Sequence, residues 1–405
     1  MSIKLTRRQV AVLGGAAMLA PRSAARAATA PEKIRMGFAV SFSGPYAQGA
    51  ESTTWSQYRL WAQDVNAAGG IYLKKYDKKL PVELVEYDDR SQLDEATRLV
   101  ERLILEDKVD FVLPPWGTAT NLAVAPLFNK YEYPAILFTI SSMAAYEVAP
   151  KWPWTFFGLV QPDDATRPLA EMVAKLKQDG KIAGKIAIMS VADQLGVEMS
   201  TQMVKEAGKQ RLDIIYNKSY PLGVSDLSSQ IREMQQLKPD AFFAFSYPPD
   251  TFMIADQSTT FGFSPTIYYS GVGTIFPAFY AKFGKKVEGV MCYGANDPDY
   301  PGFRDYAARH LAVYKRPTEG GAAGVYGTMQ VLQTALETVG EIDRSKVRDA
   351  IAAGTFKTVY GQFQFANQLI VKPWAAGQWQ NGEIVPILPT DKPGARPMLY
   401  PKPAW

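Results

Sequence analysis

Residues 34–45 read Ile34-Arg35-Met36-Gly37-Phe38-Ala39-Val40-Ser41-Phe42-Ser43-Gly44-Pro45. Apolar residues crowd the first seven positions and turn formers fill the last five, so the segment reads as a short buried strand running into a loop. A helix is predicted over 50–67, stopping at Gly69-Gly70, where glycine can take the left-handed geometry that closes a helix. Val82, Leu84 and Val85 form a second strand ending at Tyr87-Asp88-Asp89, and Leu93, Ala96, Leu99, Val100, Leu103 and Ile104 then recur at helical spacing. The unit of strand, loop and helix returns with a strand at 111–113 before a helix near 122–128, and again with a strand at 135–138. Strands alternating with amphipathic helices predict right-handed crossovers and a parallel sheet covered on both faces.

A second series of the same kind follows Trp154-Thr155-Phe156-Phe157. Its strands fall at 185–189, 213–216, 241–245 and 266–269, separated by helices around 169–176, 199–207, 227–237 and 252–261. Helices near 303–314, 322–339 and 345–352 come next, then β-like sequence from Val359 onward. The fold class is α/β with two open parallel sheets, which suits a chain of 405 residues better than one core. Pro389, Pro393, Pro397, Pro401 and Pro403 make the tail an extended strap. Ligands of open parallel sheets sit beyond the carboxyl ends of the strands, so the loops there are the site candidates.

The amino terminus gives an address. Thr6, Arg7 and Arg8 precede an apolar run from Val10 to Ala20, and Ala25-Arg26-Ala27 supplies a small-x-small cleavage site, so residues 1–27 read as an export signal. Arg7-Arg8 fits a twin-arginine leader, with ordinary secretion left open. The run is shorter than the roughly 20 residues a permanent anchor needs, so the mature chain from Ala28 is expected to be free in the periplasm. The leader holds five basic residues and no acid, so the net charge of +4 becomes −1 without it. Nothing then argues for a nucleic acid or an anionic membrane as partner. Cys292 is the single cysteine, which excludes an internal disulfide and leaves no lipid attachment point near the cleavage site.

Signatures of catalysis are missing where they would show. His310 is the single histidine, no His/Cys cluster has zinc spacing, and there is no G-x-S-x-G, no G-x-x-x-x-G-K-[ST] and no G-x-G-x-x-G after a strand. Asp88-Asp89 and Asp163-Asp164 precede helices and are expected to cap free amides rather than act as acid and base. No enzymatic activity, metal or cofactor is expected.

With the export signal, this layout resembles the periplasmic solute-binding proteins of the branched-chain amino acid (Leu/Ile/Val-binding) ABC transporter family. The resemblance rests on residues 37–45, then Val65-Asn66-Ala67-Ala68-Gly69-Gly70-Ile71, then Val82-Glu83-Leu84-Val85-Glu86-Tyr87-Asp88-Asp89, and extends from about Ile34 to Gln378. It implies two Rossmann-like lobes (type I periplasmic-binding fold) divided as 28–157 plus 292–358 and 158–291 plus 359–405. Three crossings near 157–160, 291–294 and 358–361 would form a hinge that closes on a small ligand. It further implies a small-molecule ligand and an inner-membrane permease as partners, and a monomer.

In that family the loop after the third strand and the next loop clamp the ligand carboxylate. Here these are Pro115-Trp116-Gly117-Thr118-Ala119-Thr120, with Thr118 and Ala119 at a helix start, and Phe138-Thr139-Ile140-Ser141-Ser142, with Thr139 and Ser141. The family's acidic partner for the ligand ammonium falls on Gly271, so an α-amino acid has lost its counter-charge unless Asp193 or Asp250 replaces it. Leu195 and Gly49 stand where aromatic rings are expected and Tyr247 keeps one, while Tyr46, Trp116, Phe138, Tyr146 and Tyr326 put rings in or near the candidate loops. Gly49 and Gly271 are expected to vacate volume. Together these features suggest a carboxylate with an apolar, aromatic body as the solute of an ABC importer. A periplasmic sensor of the same fold, an ordinary branched-chain amino acid binder and an exported enzyme are the competing readings.

Overall fold

The strand Ile34–Val40 is the axis of the first sheet, with 36–40 wholly buried. It pairs in parallel with Val82–Asp88 on one side, Ile34 opposite Val82, and with Phe111–Leu113 on the other, Met36 opposite Phe111. Burial on both faces of a parallel strand explains why the sequence is continuously apolar there rather than alternating. The computed structural model describes residues 31–405, so the expected leader, its Arg7-Arg8 pair and the cut after Ala27 lie outside the described residues. Among the described residues no helix is long and apolar enough to cross a membrane.

The helix expected over 50–67 starts earlier, at Ala47, and contains one π-helical turn, Glu51–Trp55, before continuing as Ser56–Ala67. A π turn adds a residue to the helical ladder and re-aims the side chains after it, a distortion often found at functional sites. A second lobe is built on a seven-stranded sheet ordered Glu383–Leu388, Ala376–Gln380, Met291–Tyr293, Ile267–Ser270, Ala241–Phe245, Lys185–Val191, Asp213–Tyr220. The last five of these are mutually parallel, and Ala376–Gln380 and Glu383–Leu388 add an antiparallel edge. Phe242, Phe243, Tyr268 and Tyr269 are completely buried between this sheet and its helices.

The third crossing departs from expectation. Thr355–Lys357 and Gln362–Ala366 pair as one antiparallel hairpin, Lys357 opposite Gln362, and Leu369–Ile370 then joins Thr155–Phe157 and Ala135–Leu137 of the first lobe. A boundary at 358 would cut that hairpin in two. The chain passes to the other sheet between Ile370 and Ala376 instead, so 359–370 belongs with the first lobe. The proline-rich tail lies along the second lobe: Lys402 N–H donates to Thr266 O (2.9 Å) and the Trp405 ring packs edge-on against Tyr268 at 4.9 Å.

Candidate functional site

The third strand ends at Leu113 and the helix Thr118–Lys130 begins five residues later. Gly117, at φ 94°, makes the turn between them, a left-handed conformation that favours glycine. The first intrahelical bond is Asn121 N–H to Gly117 O (3.0 Å), and no side chain caps the helix, so the amides of Thr118, Ala119 and Thr120 have no partner in the ladder. Three free N–H groups at the positive end of a helix dipole are suited to an anion.

The hydroxyls around this helix start fasten the loops together. Ser141 N–H donates to Thr118 Oγ1 (3.2 Å), Thr139 Oγ1 donates to Pro115 O (3.0 Å) and Ser141 Oγ donates to Val160 O (2.9 Å). Asn121, which nothing in the sequence singles out, donates from Nδ2 to Pro115 O, Gly117 O and Thr139 Oγ1. Tyr293, at the end of its strand, donates to the same Val160 O (2.8 Å), so two of the crossings meet at one carbonyl.

Of these residues, Thr118, Thr139, Ser141 and Tyr293 line one cleft between the lobes. Of the expected residues, Trp116, Thr118, Thr139, Ser141 and Tyr247 line it, with Phe138. Thr53 of the π turn, Tyr293, Tyr360 and the facing pair Ile275 and Gly320 line it too, and were not expected. Tyr360 sits at the tip of the hairpin, where the bond from Thr358 N–H to Gly361 O (3.0 Å) closes the turn and its ring packs edge-on against Phe138 at 5.2 Å. Tyr293 and Tyr360 fall in stretches read as hinge, and a hinge lies at the base of the cleft, which is the signal that could have marked them.

Six expected residues lie outside the cleft lining. Tyr46 stands behind the wall, its ring 5.4 Å from Trp116 and 5.5 Å from Tyr247, with Trp116 and Tyr247 at 5.3 Å completing a three-ring cluster across the lobes. Ala119 offers only its backbone amide. Gly271 does not reach the cleft, because a Cβ there would sit 2.5 Å from Ser246 O; neighbouring backbone fills the space expected to be vacated. Gly49 likewise leaves no hole: a Cβ would lie 2.3 Å from Trp116 Cζ2, so the indole occupies that volume. Tyr146 bonds Asp163 (2.7 Å) and Tyr326 bonds Asp64 (3.0 Å), both away from the cleft lining.

Neither aspartate that could replace the lost acid is free. Asp193 caps its helix through Gly196 N–H (3.1 Å) and accepts Tyr247 Oη (2.6 Å), while Asp250 accepts Tyr220 Oη (3.1 Å). Burial pushes both carboxyls up. Among the described residues the cleft lining contains no Asp, Glu, Lys, Arg or His. Asp88 and Asp89 are structural, as expected: Asp88 accepts Phe42 and Arg90 N–H at 2.9 Å, and Asp89 accepts Ser41 Oγ at 2.6 Å. His310 is fully buried and packed between Tyr306 and Tyr314, where burial lowers its pKa to about 4.

Two α/β lobes on open parallel sheets, three crossings and a cleft at the strand ends define a type I periplasmic-binding architecture. The family model described as periplasmic binding protein matches residues 33–383, and the chain belongs to that family. It is 24% identical over 392 residues to the Leu/Ile/Val-binding protein homolog 7 of Brucella suis, covering 90% of this chain and 94% of the relative. Its fold is similar to the branched-chain amino acid transporter substrate binding protein LivJ of Streptococcus pneumoniae in complex with isoleucine (TM-score 0.73, 19% identity, 87% of this chain and 97% of that one). It is equally similar to a solute binding protein of an ABC transporter from R. palustris in complex with benzoate (TM-score 0.74, 19% identity, 87% and 95%).

Proposed function

We propose that the protein is the exported receptor of an ABC importer, and that its cleft captures a carboxylate with an apolar, aromatic body and passes it unchanged to an inner-membrane permease. The observation that carries this reading is the pairing of an uncapped helix start with a cleft lining that holds no acidic side chain. The amides of Thr118, Ala119 and Thr120 favour an anion. An α-amino acid would also bring an ammonium, and burying it without a carboxylate costs several kcal/mol. Trp116, Phe138, Tyr247, Phe276, Tyr293 and Tyr360 offer ring faces and edges to an aromatic body. The benzoate complex of a protein with the same fold agrees with this choice, and the isoleucine complex of another is the alternative it must beat.

Export through a leader cut after Ala27, a monomeric state, and lobes of 33–157 plus 294–370 and 162–293 plus 376–405 closing about the three crossings belong to the same proposal. A thermal-shift screen of the mature chain against amino acids, aliphatic acids, aromatic acids and amides tests it, because a ligand of the native state raises the melting temperature by mass action. Stabilisation by benzoate-type acids is expected. Stabilisation by α-amino acids alone would sink the ligand assignment.

A further inference from the structure

Beside the cleft, and walled off from it where Ile275 of one lobe meets Gly320 of the other, lies a larger groove open to solvent. A Cβ on Gly320 would come within 1.8 Å of Ile275 Cδ1, so that wall is tight. The groove's sides are apolar: Phe303 and Leu311 on one helix face Tyr280, which is stacked on Trp379 at 5.4 Å and 25°. Its floor is not. Glu319 is 4% exposed and takes Arg316 Nη1 on Oε1 (2.8 Å), but its Oε2 is buried with no hydrogen-bond partner. Asn296, 8% exposed, lines the same groove, and its Oδ1 is also unpartnered. Buried acceptors left without donors cost about 1–3 kcal/mol each, so their occurrence together needs a reason.

Charge gives that reason. Glu51 and Glu319 share a single guanidinium, Arg316, at 3.5 Å and 2.8 Å, and Arg304 is committed to Asp299 at 3.1 Å. Glu383, also in the lining, adds another carboxylate. The lining as a whole therefore sets three carboxylates, Glu51, Glu319 and Glu383, against two guanidinium groups, Arg304 and Arg316, beside aromatic rings of the kind that attract cations. We infer that this groove is a second ligand site, separate from the interlobe cleft, that takes an organic monocation: an ammonium or amidinium group on an apolar body, donating to Glu319 and Asn296. The inference does not depend on which acid the cleft holds.

Burial holds the Glu319 carboxyl at about 7 against the pull of Arg316, with Glu51 adding to the rise and Ser52 opposing it. His310, whose Nδ1 lies 3.2 Å from Arg316 O, titrates at about 4 and stays neutral near pH 7. A cation selects the ionised carboxylate, so its affinity should fall as pH drops from 8 to 6.

The test is calorimetry of the mature chain with benzylammonium chloride, with and without saturating benzoate. Binding is expected in both cases, weakened about tenfold by Glu319→Gln, as for a lost charge-assisted hydrogen bond, and made independent of pH between 6 and 8 in that variant. Thr118→Val should leave it unchanged. Should Glu319→Gln fail to fold, Glu51→Gln on the exposed rim is expected to weaken the amine about threefold, a rim-charge effect. No heat at millimolar amine, an affinity indifferent to both glutamates, or loss of amine binding when benzoate is present would overturn the inference.

Discussion

Trp116 owes its position to a residue without a side chain. Its indole fills the space where a Cβ of Gly49 would be, and the ring then closes against Tyr46 and Tyr247. Gly49→Ala should therefore destabilise the fold by about 1–3 kcal/mol, the usual result of overpacking, seen as a lower urea midpoint with an unchanged slope. Thr118 offers the converse case, a small hydroxyl with several duties. Thr118→Val removes the acceptor for Ser141 N–H and a polar group at the helix start, and is expected to weaken an aromatic acid about tenfold by calorimetry and to cost about 1–3 kcal/mol of stability for the buried N–H left unpaired. Trp116, Thr118, Thr139, Ser141 and Tyr247 lie in loops that follow the carboxyl ends of strands, which the strand–helix pattern marked as a group; the family resemblance is what singled out these residues within them. Thr53, Gly320 and Tyr360 were not legible in the sequence, since they reach the cleft from a π turn, a loop and a hairpin tip distant in the chain. Gly271 misled for a different reason: the sequence shows that a side chain is missing but not that Ser246 backbone has moved into its place.

At the scale of elements, two helix starts reach the cleft lining in different states. Helix Thr118–Lys130 presents open amides, whereas Gln194–Lys209 across the cleft is capped by Asp193, which also holds Tyr247. Asp193→Ala should cost about 1 kcal/mol for the cap and free the Tyr247 phenol, lowering both thermal stability and acid affinity; Asp193→Asn, which can still cap, should recover most of the stability. The alternation of strands and helices up to Ser270 was readable because apolar runs and helical periodicity persist over many residues. From Val359 onward the strands are two to six residues long, and pairing rather than pattern decides to which sheet they belong. That is why the third crossing lies past Ile370 and not at 358–361.

For the whole molecule, the proposed function turns on the balance between open and closed lobes. Besides the three-ring cluster, Glu198 of the second lobe accepts Ser142 Oγ (2.9 Å) and Met143 N–H (2.6 Å) of the first, a latch made outside the cleft lining. Glu198→Ala should shift the ligand-free population toward open and weaken acid binding about three- to thirtyfold without altering the order of preference among ligands, since it taxes closure alone. Small-angle scattering should show a larger radius for the ligand-free variant and a normal one at saturation.

The central claim is that this cleft takes a carboxylate and refuses an ammonium. Parallel calorimetric titrations of the mature chain with benzoate and with leucine test it most directly. The account predicts binding of benzoate, lost in part in Thr118→Val, and leucine weaker by at least about a hundredfold, the equivalent of roughly 3 kcal/mol for an unpaired buried cation. Tight leucine binding with no response to benzoate would contradict it.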